Sequence, residues 1–245
     1  MNDIQGQPDL FLEGLTLFNS PDPNNLQSYY DRSPRNAIKF WMEHGLIPQL
    51  TPPSPTTIPD EHLTLYSIAF FLHSTPGLKR TSKGIYLTDP SDEIKQVRQY
   101  FMSLINLESK DVFEALCELA EHHLMFPGEA SKIDKLLEAF AERYLECNPA
   151  AMNQFKSEDC LVNVLFAILF LNQELYGSKT KRPTKRTRTE FILTYRDLGI
   201  GGSKDANSAY FGELYDKVKG RRIIIWEEER ERIDDEQETT WCRLF

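Results

Sequence analysis

The residues of this chain that could do covalent chemistry are spaced too widely to do it together. Its four cysteines, Cys117, Cys147, Cys160 and Cys242, are separated by 30, 13 and 82 residues, with no CxxC pair. A zinc site or a disulfide scaffold needs tighter clusters, so reduced thiols are the reading. His122 and His123 are adjacent, but neighbours on a helix point about 100° apart, a poor geometry for holding one metal. The five histidines accompany no serine or cysteine nucleophile motif, so the expectation is no hydrolase chemistry, no metal and no cofactor. The 12 glycines form neither GxGxxG nor the P-loop pattern, so no phosphate-cradling loop is expected. One carboxylate is differently placed. Glu129 follows Pro127-Gly128, turn-forming residues that would set it at the tip of a loop joining two helices. Taken alone, an acid there is also an ordinary first-turn residue that favours the helix dipole.

The elements that must position Glu129 read as helices almost throughout. Ser33-Pro34 offers a cap and a first-turn proline, and Ala37, Ile38, Trp41 and Met42 recur at the spacing of a buried face. Residues 51–59 hold four prolines in nine positions and read as a loop. Helices are expected over 63–72, 81–86, 94–105, 111–124 and 133–144, the last with the stripe Ile133, Leu136, Leu137, Phe140 and Tyr144. Residues 159–175 are apolar nearly all round, the mark of a central helix. Two more helices follow near 187–197 and 206–219, and the β-branched run 221–226 could be extended. Residues 227–245 hold eight acids against three bases and read as a frayed helix or tail. The most apolar run, 160–171, is twelve residues, short of the roughly 20 needed to cross a bilayer. The first residues carry no positively charged, apolar leader, so a cytoplasmic chain is expected. Lys+Arg number 28 against 37 Asp+Glu, and a net charge of −9 argues against coating nucleic acid.

Residues 124–149, LMFPGEASKIDKLLEAFAERYLECNP, resemble the first signature of the Sec7 domain, the exchange module for Arf-family small GTPases. Pro127-Gly128-Glu129-Ala130, Lys132-Ile133-Asp134, Glu138-Ala139-Phe140, Arg143-Tyr144 and Cys147-Asn148-Pro149 carry the match. Residues 157–178 look like the family's second signature, and 33–47 and 68–89 are similar to its earlier helices. The resemblance spans about 33–226. It implies an all-α fold, a right-handed superhelix of about ten helices, preceded here by an extension over 1–32 and followed by the acidic tail 227–245. It also implies that Glu129 is a finger pushed into the GTPase nucleotide site, opposing the β-phosphate of GDP and displacing magnesium. Asp134 would pair with a basic residue of the GTPase. Val162, Phe166, Leu169, Phe170 and Gly177 would face the GTPase along a hydrophobic groove.

Several positions depart from the family pattern. Met125 stands where an arginine is usual, Val162 replaces a tyrosine, Tyr176 a histidine, and Gly177 an asparagine that commonly contacts the partner. Phe166-Ala167 resembles members insensitive to brefeldin A. The stretch 179–188 packs six bases into ten residues, making Lys179, Lys181, Arg182, Lys185, Arg186 and Arg188 candidate contacts for an anionic membrane surface, or a solvated loop. The last four residues form a CaaX-like end with Cys242 as a prenylation candidate, although Arg243 is not aliphatic. The function expected is nucleotide exchange on Arf-family GTPases in membrane traffic, on a cytoplasmic protein peripheral to membranes. The alternative is a GTPase-binding or scaffold module of the same fold with little catalysis. No nucleic-acid partner is expected.

Overall fold

The computed structural model describes residues 8–19, 33–50, 58–127, 129–177, 185–198 and 200–225. Among them every regular element is helical. The α-helices in chain order are α1 (Pro8–Asn19), α2 (Pro34–Glu43), α3 (Leu63–Ser74), α4 (Arg80–Leu87), α5 (Asp92–Ser103), α6 (Val112–Glu118), α7 (Ala130–Cys147), α8 (Met152–Phe155), α9 (Glu158–Tyr176), α10 (Arg188–Tyr195) and α11 (Lys204–Gly220). A π-helical turn, Leu119–His123, extends α6. The residues group into two compact units, one of 1–105 with 123–136, the other of 106–122 with 137–245.

In the first unit α1 lies on α2. It occupies the stretch expected to be an extension, where the sequence reading placed no element. The reason is steric. Gly14 has no side chain, and a Cβ there would fall 2.1 Å from Trp41 Nε1. Trp41 is therefore fully buried, with Phe11 and Phe18 centred 5.8 Å from its ring and Phe71 of α3 at 5.0 Å. Each such burial contributes roughly 1.5–3 kcal/mol. Asn19 at the end of α1 then fixes the turn before α4: its side-chain amide donates to Gly77 O and its oxygen accepts from Lys79 N, both at 2.8 Å. Ser33 caps α2 as its Oγ accepts from Asn36 N at 3.2 Å.

In the second unit α9 is central, with Leu161, Val164, Leu165, Ala167 and Ile168 fully buried. It is long and apolar enough, by length and composition, to cross a membrane. Most of it is covered by protein instead, and fully buried Asn172 is satisfied within the fold. Its amide donates to Ile223 O at 3.0 Å and its oxygen accepts from Ile223 N at 2.8 Å. That pairing holds the run after α11 in place without forming a strand. Tyr176 donates its hydroxyl to the Val218 and Lys219 carbonyls, two of the acceptors a helix end leaves open. Lys217 pairs with Asp111 at 2.7 Å, and Arg221 with Glu114 at 2.9 Å and Glu121 at 2.7 Å, tying the end of α11 to α6.

Candidate functional site

Glu129 stands at the end of a loop whose preceding residues are sunk into the first unit. Leu124, Met125 and Phe126 are buried, and the Met125 N–H donates to Arg80 O at 3.0 Å. Gly84 of α4 makes room for this strap, because a Cβ there would lie 1.9 Å from the Met125 carbonyl oxygen. The position that departs from the family arginine is thus held by backbone contacts and apolar burial. After the strap the Glu129 carbonyl accepts from Lys132 N at 3.0 Å and Ile133 N at 3.1 Å, opening α7.

The Glu129 carboxylate projects into solvent with 61% of the side chain exposed. Its Oε2 lies 3.0 Å from Lys132 Nζ and its Oε1 accepts from Ser131 Oγ at 2.8 Å. Hydrogen bonds from Lys132 and Ser131, then the Lys132 charge, hold its pKa below the usual carboxylate range. The group is therefore an anion at neutral pH, in an exposed ion pair that is weak and easily exchanged. Asp134, on the same helix, is exposed.

The other candidate residues lie in the second unit. Phe170 is exposed and Phe166 half-buried, their rings stacked with centroids 5.9 Å apart. Val162 and Leu169 are buried in the same helix. Gly177 ends it, its N–H donating to Gln173 O at 2.8 Å. Of the basic stretch, Lys179, Lys181 and Arg182 lie outside the described residues, as does Cys242. Lys185 donates to the Leu175 carbonyl. Arg186 pairs with Glu174 at 2.9 Å and Arg188 with Asp216 at 3.1 Å. Burial pushes the Cys117 thiol up to about 12, which makes it a poor nucleophile. Among the described residues no three His, Cys, Asp or Glu side chains are grouped to hold a metal ion.

Sequence reasoning read Gly84 and Lys132 as motif matches without a role and did not single out Arg80. A glycine inside a helical pattern signals a packing reason but does not say what packs against it.

A family model described as Sec7 domain matches residues 23–223. Brefeldin A-inhibited guanine nucleotide-exchange protein 1 of Homo sapiens is 30% identical over 224 residues, 91% of this chain and 10% of that protein. Brefeldin A-inhibited guanine nucleotide-exchange protein 4 of Arabidopsis thaliana is 34% identical over 196 residues, 80% of this chain and 10% of that one. The chain therefore spans about a tenth of the length of these curated relatives. The crystal structure of the Sec7p catalytic domain superposes with a TM-score of 0.64 at 22% identity, covering 86% of this chain and 97% of its own. A Sec7 domain solved with ARF1-GDP and brefeldin A gives a TM-score of 0.65 at 20% identity, with 91% and 97% covered. Two ordered signatures, the all-helical fold they build and a family match over most of its length make this chain a member of the Sec7 domain family.

Proposed function

We propose that this chain is a guanine-nucleotide exchange factor for Arf-family GTPases, with Glu129 as the group that expels the nucleotide. The observation that carries the reading is a single exposed carboxylate mounted on a buried strap at the start of α7. Family membership and the exchange-protein names of its relatives support it. The neighbouring Sec7 domain bound to ARF1-GDP supports an Arf partner.

One carboxylate suffices on physical grounds. Two like unit charges about 4 Å apart at an effective dielectric of about 20 repel by roughly 4 kcal/mol, on the order of a thousandfold in affinity. Expelling the cation that neutralised the phosphate adds to this. The factor need only bind the nucleotide-free GTPase more tightly than the loaded one. Phe166 and Phe170 supply apolar surface for the partner, and Asp134 an exposed charge. Action at membranes, with the basic stretch drawn to anionic lipid, belongs to the same reading.

The second reading is a GTPase-binding scaffold, favoured by the substitutions at Val162, Tyr176 and Gly177. Release of fluorescent GDP from a truncated, soluble Arf separates the two. Exchange predicts acceleration by the native chain and none by Glu129→Lys. A scaffold predicts binding of the GTPase by both proteins and acceleration by neither.

A further inference from the structure

Beside Glu129 the first unit holds a cleft of 350 Å³ that the exchange reading leaves unused. One wall is the start of α2, where Pro34 and Arg35 sit. The Arg35 N–H belongs to the first turn, whose donors an α-helix leaves unpaired. Tyr86 lies in the wall contributed by α4 and is 5% exposed. Its hydroxyl has no hydrogen-bond partner among the described residues. It feels the charges of Arg35 and Asp89, which line the same cleft, and of Glu93, which does not. The ring is buried while the hydroxyl oxygen stays open to solvent, so Tyr86 is a donor that a ligand in the cleft can engage by displacing water.

The charges facing the cleft are Arg35, Asp89 and Lys132. Arg35 and Asp89 pair at 3.3 Å, and Lys132 is held at 3.0 Å by Glu129. The two cations outnumber the single carboxylate by one charge as soon as Glu129 turns away. That balance suits one monoanion better than a dianionic phosphate. The volume accommodates a side chain with some of its backbone.

We infer that the cleft accepts one carboxylate side chain of the bound GTPase, held by Lys132, the Tyr86 hydroxyl and the first turn of α2, once Glu129 has left Lys132. This rests on the exchange reading for its partner. It gives the finger's departure a compensation, since Lys132 exchanges one carboxylate for another instead of being stranded. Lys132 and Tyr86 are then positioning and binding residues, not catalytic ones.

The test has two arms. In the first, NMR follows the Tyr86 ring while acetyl-glutamate amide or inorganic phosphate is added at constant ionic strength. Glu129→Gln frees Lys132, so this variant should show a saturable shift with the carboxylate at a concentration at least threefold below the native chain. Adding Lys132→Gln should abolish it. No saturable shift, a shift indifferent to Lys132→Gln, or a response to phosphate alone would overturn the inference. In the second arm, Tyr86→Phe should raise the concentration needed for half-maximal GDP release severalfold and leave the maximal rate unchanged. Its effect should largely disappear in a Lys132→Gln background. Native half-saturation in Tyr86→Phe, with Glu129→Lys inactive, sinks the cleft and leaves the exchange reading standing. If the native chain accelerates no release, the exchange reading fails and the carboxylate titration alone decides the cleft.

Discussion

Replacing Gly84 by alanine adds one methyl group, and the structure indicates what it must displace. The new Cβ would sit 1.9 Å from the Met125 carbonyl oxygen and 3.1 Å from its carbonyl carbon. Contacts below 3.0 Å are essentially absent for Cβ atoms, so α4 and the strap must part by about 1 Å, a scale at which packed cores already resist. The obstacle is backbone, not the end of a flexible side chain, so no rotamer change relieves it. Overpacking of this kind costs roughly 1–3 kcal/mol. Stretching the bond from Met125 N–H to Arg80 O, now 3.0 Å long, threatens a further cost of about 1–3 kcal/mol for a stranded donor. Alanine's better helix propensity returns about 1 kcal/mol. The expected net loss is about 1–5 kcal/mol. Because Glu129 follows Met125 by four residues, exchange should fall as well. A misplacement of about 1 Å can cost on the order of a hundredfold in rate, and a loss of at least about tenfold is expected here. Urea unfolding and fluorescent GDP release on Gly84→Ala measure both. Gly220→Ala is the control, since nothing lies within 4 Å of that position and the change at this last residue of α11 should leave stability the same or raise it by up to about 1 kcal/mol. Native stability together with native exchange in Gly84→Ala would refute the claim that this contact positions the finger.

Three further perturbations probe other parts of the argument. Gly14→Leu should undock α1 from Trp41, lowering stability by about 2–3 kcal/mol and shifting Trp41 emission to the red; unchanged emission and stability would mean that α1 is not needed to cover the indole. Burial, then repulsion from Arg80, lowers Lys83 to about 8, whereas the unfolded chain keeps that proton to about pH 10.4. Between those values the unfolded state binds more protons, so this residue makes stability rise with pH; Lys83→Met should flatten the slope between pH 8 and 10 in denaturation series, and an identical slope would contradict the assignment. Exchange by the native chain should proceed in the presence of brefeldin A, whereas Phe166→Tyr with Ala167→Ser should become sensitive; inhibition of the native chain would remove the basis for reading those two residues.

What the sequence made legible was whatever depended on side chains present in it. The stripe of α7, the all-round apolarity of α9 and the Ser33 cap each announce an element by what they contain, and each element is found within a few residues of its expected bounds. The π-helical turn was not legible. Residues 111–124 read as one helix, but regular α-helix ends at Glu118 and the next five residues are wound more loosely. Apolar spacing alone does not distinguish one extra residue in a turn from none.

The features that position Glu129 were hidden for a different reason. They rest on atoms that are missing. Gly14 admits Trp41 and Gly84 admits the Met125 carbonyl because neither has a Cβ, and periodicity assigns no face to a residue without a side chain. The same logic explains why Met125 could replace an arginine and leave the strap anchored. Once the Met125 N–H is bonded to Arg80 O and the side chain is buried, an ion pair at that point has little left to hold. Met125→Arg should therefore gain nothing in exchange rate and lose stability, since an unpaired buried guanidinium costs several kcal/mol. A gain in both would show that the departure from the family residue weakened the loop after all.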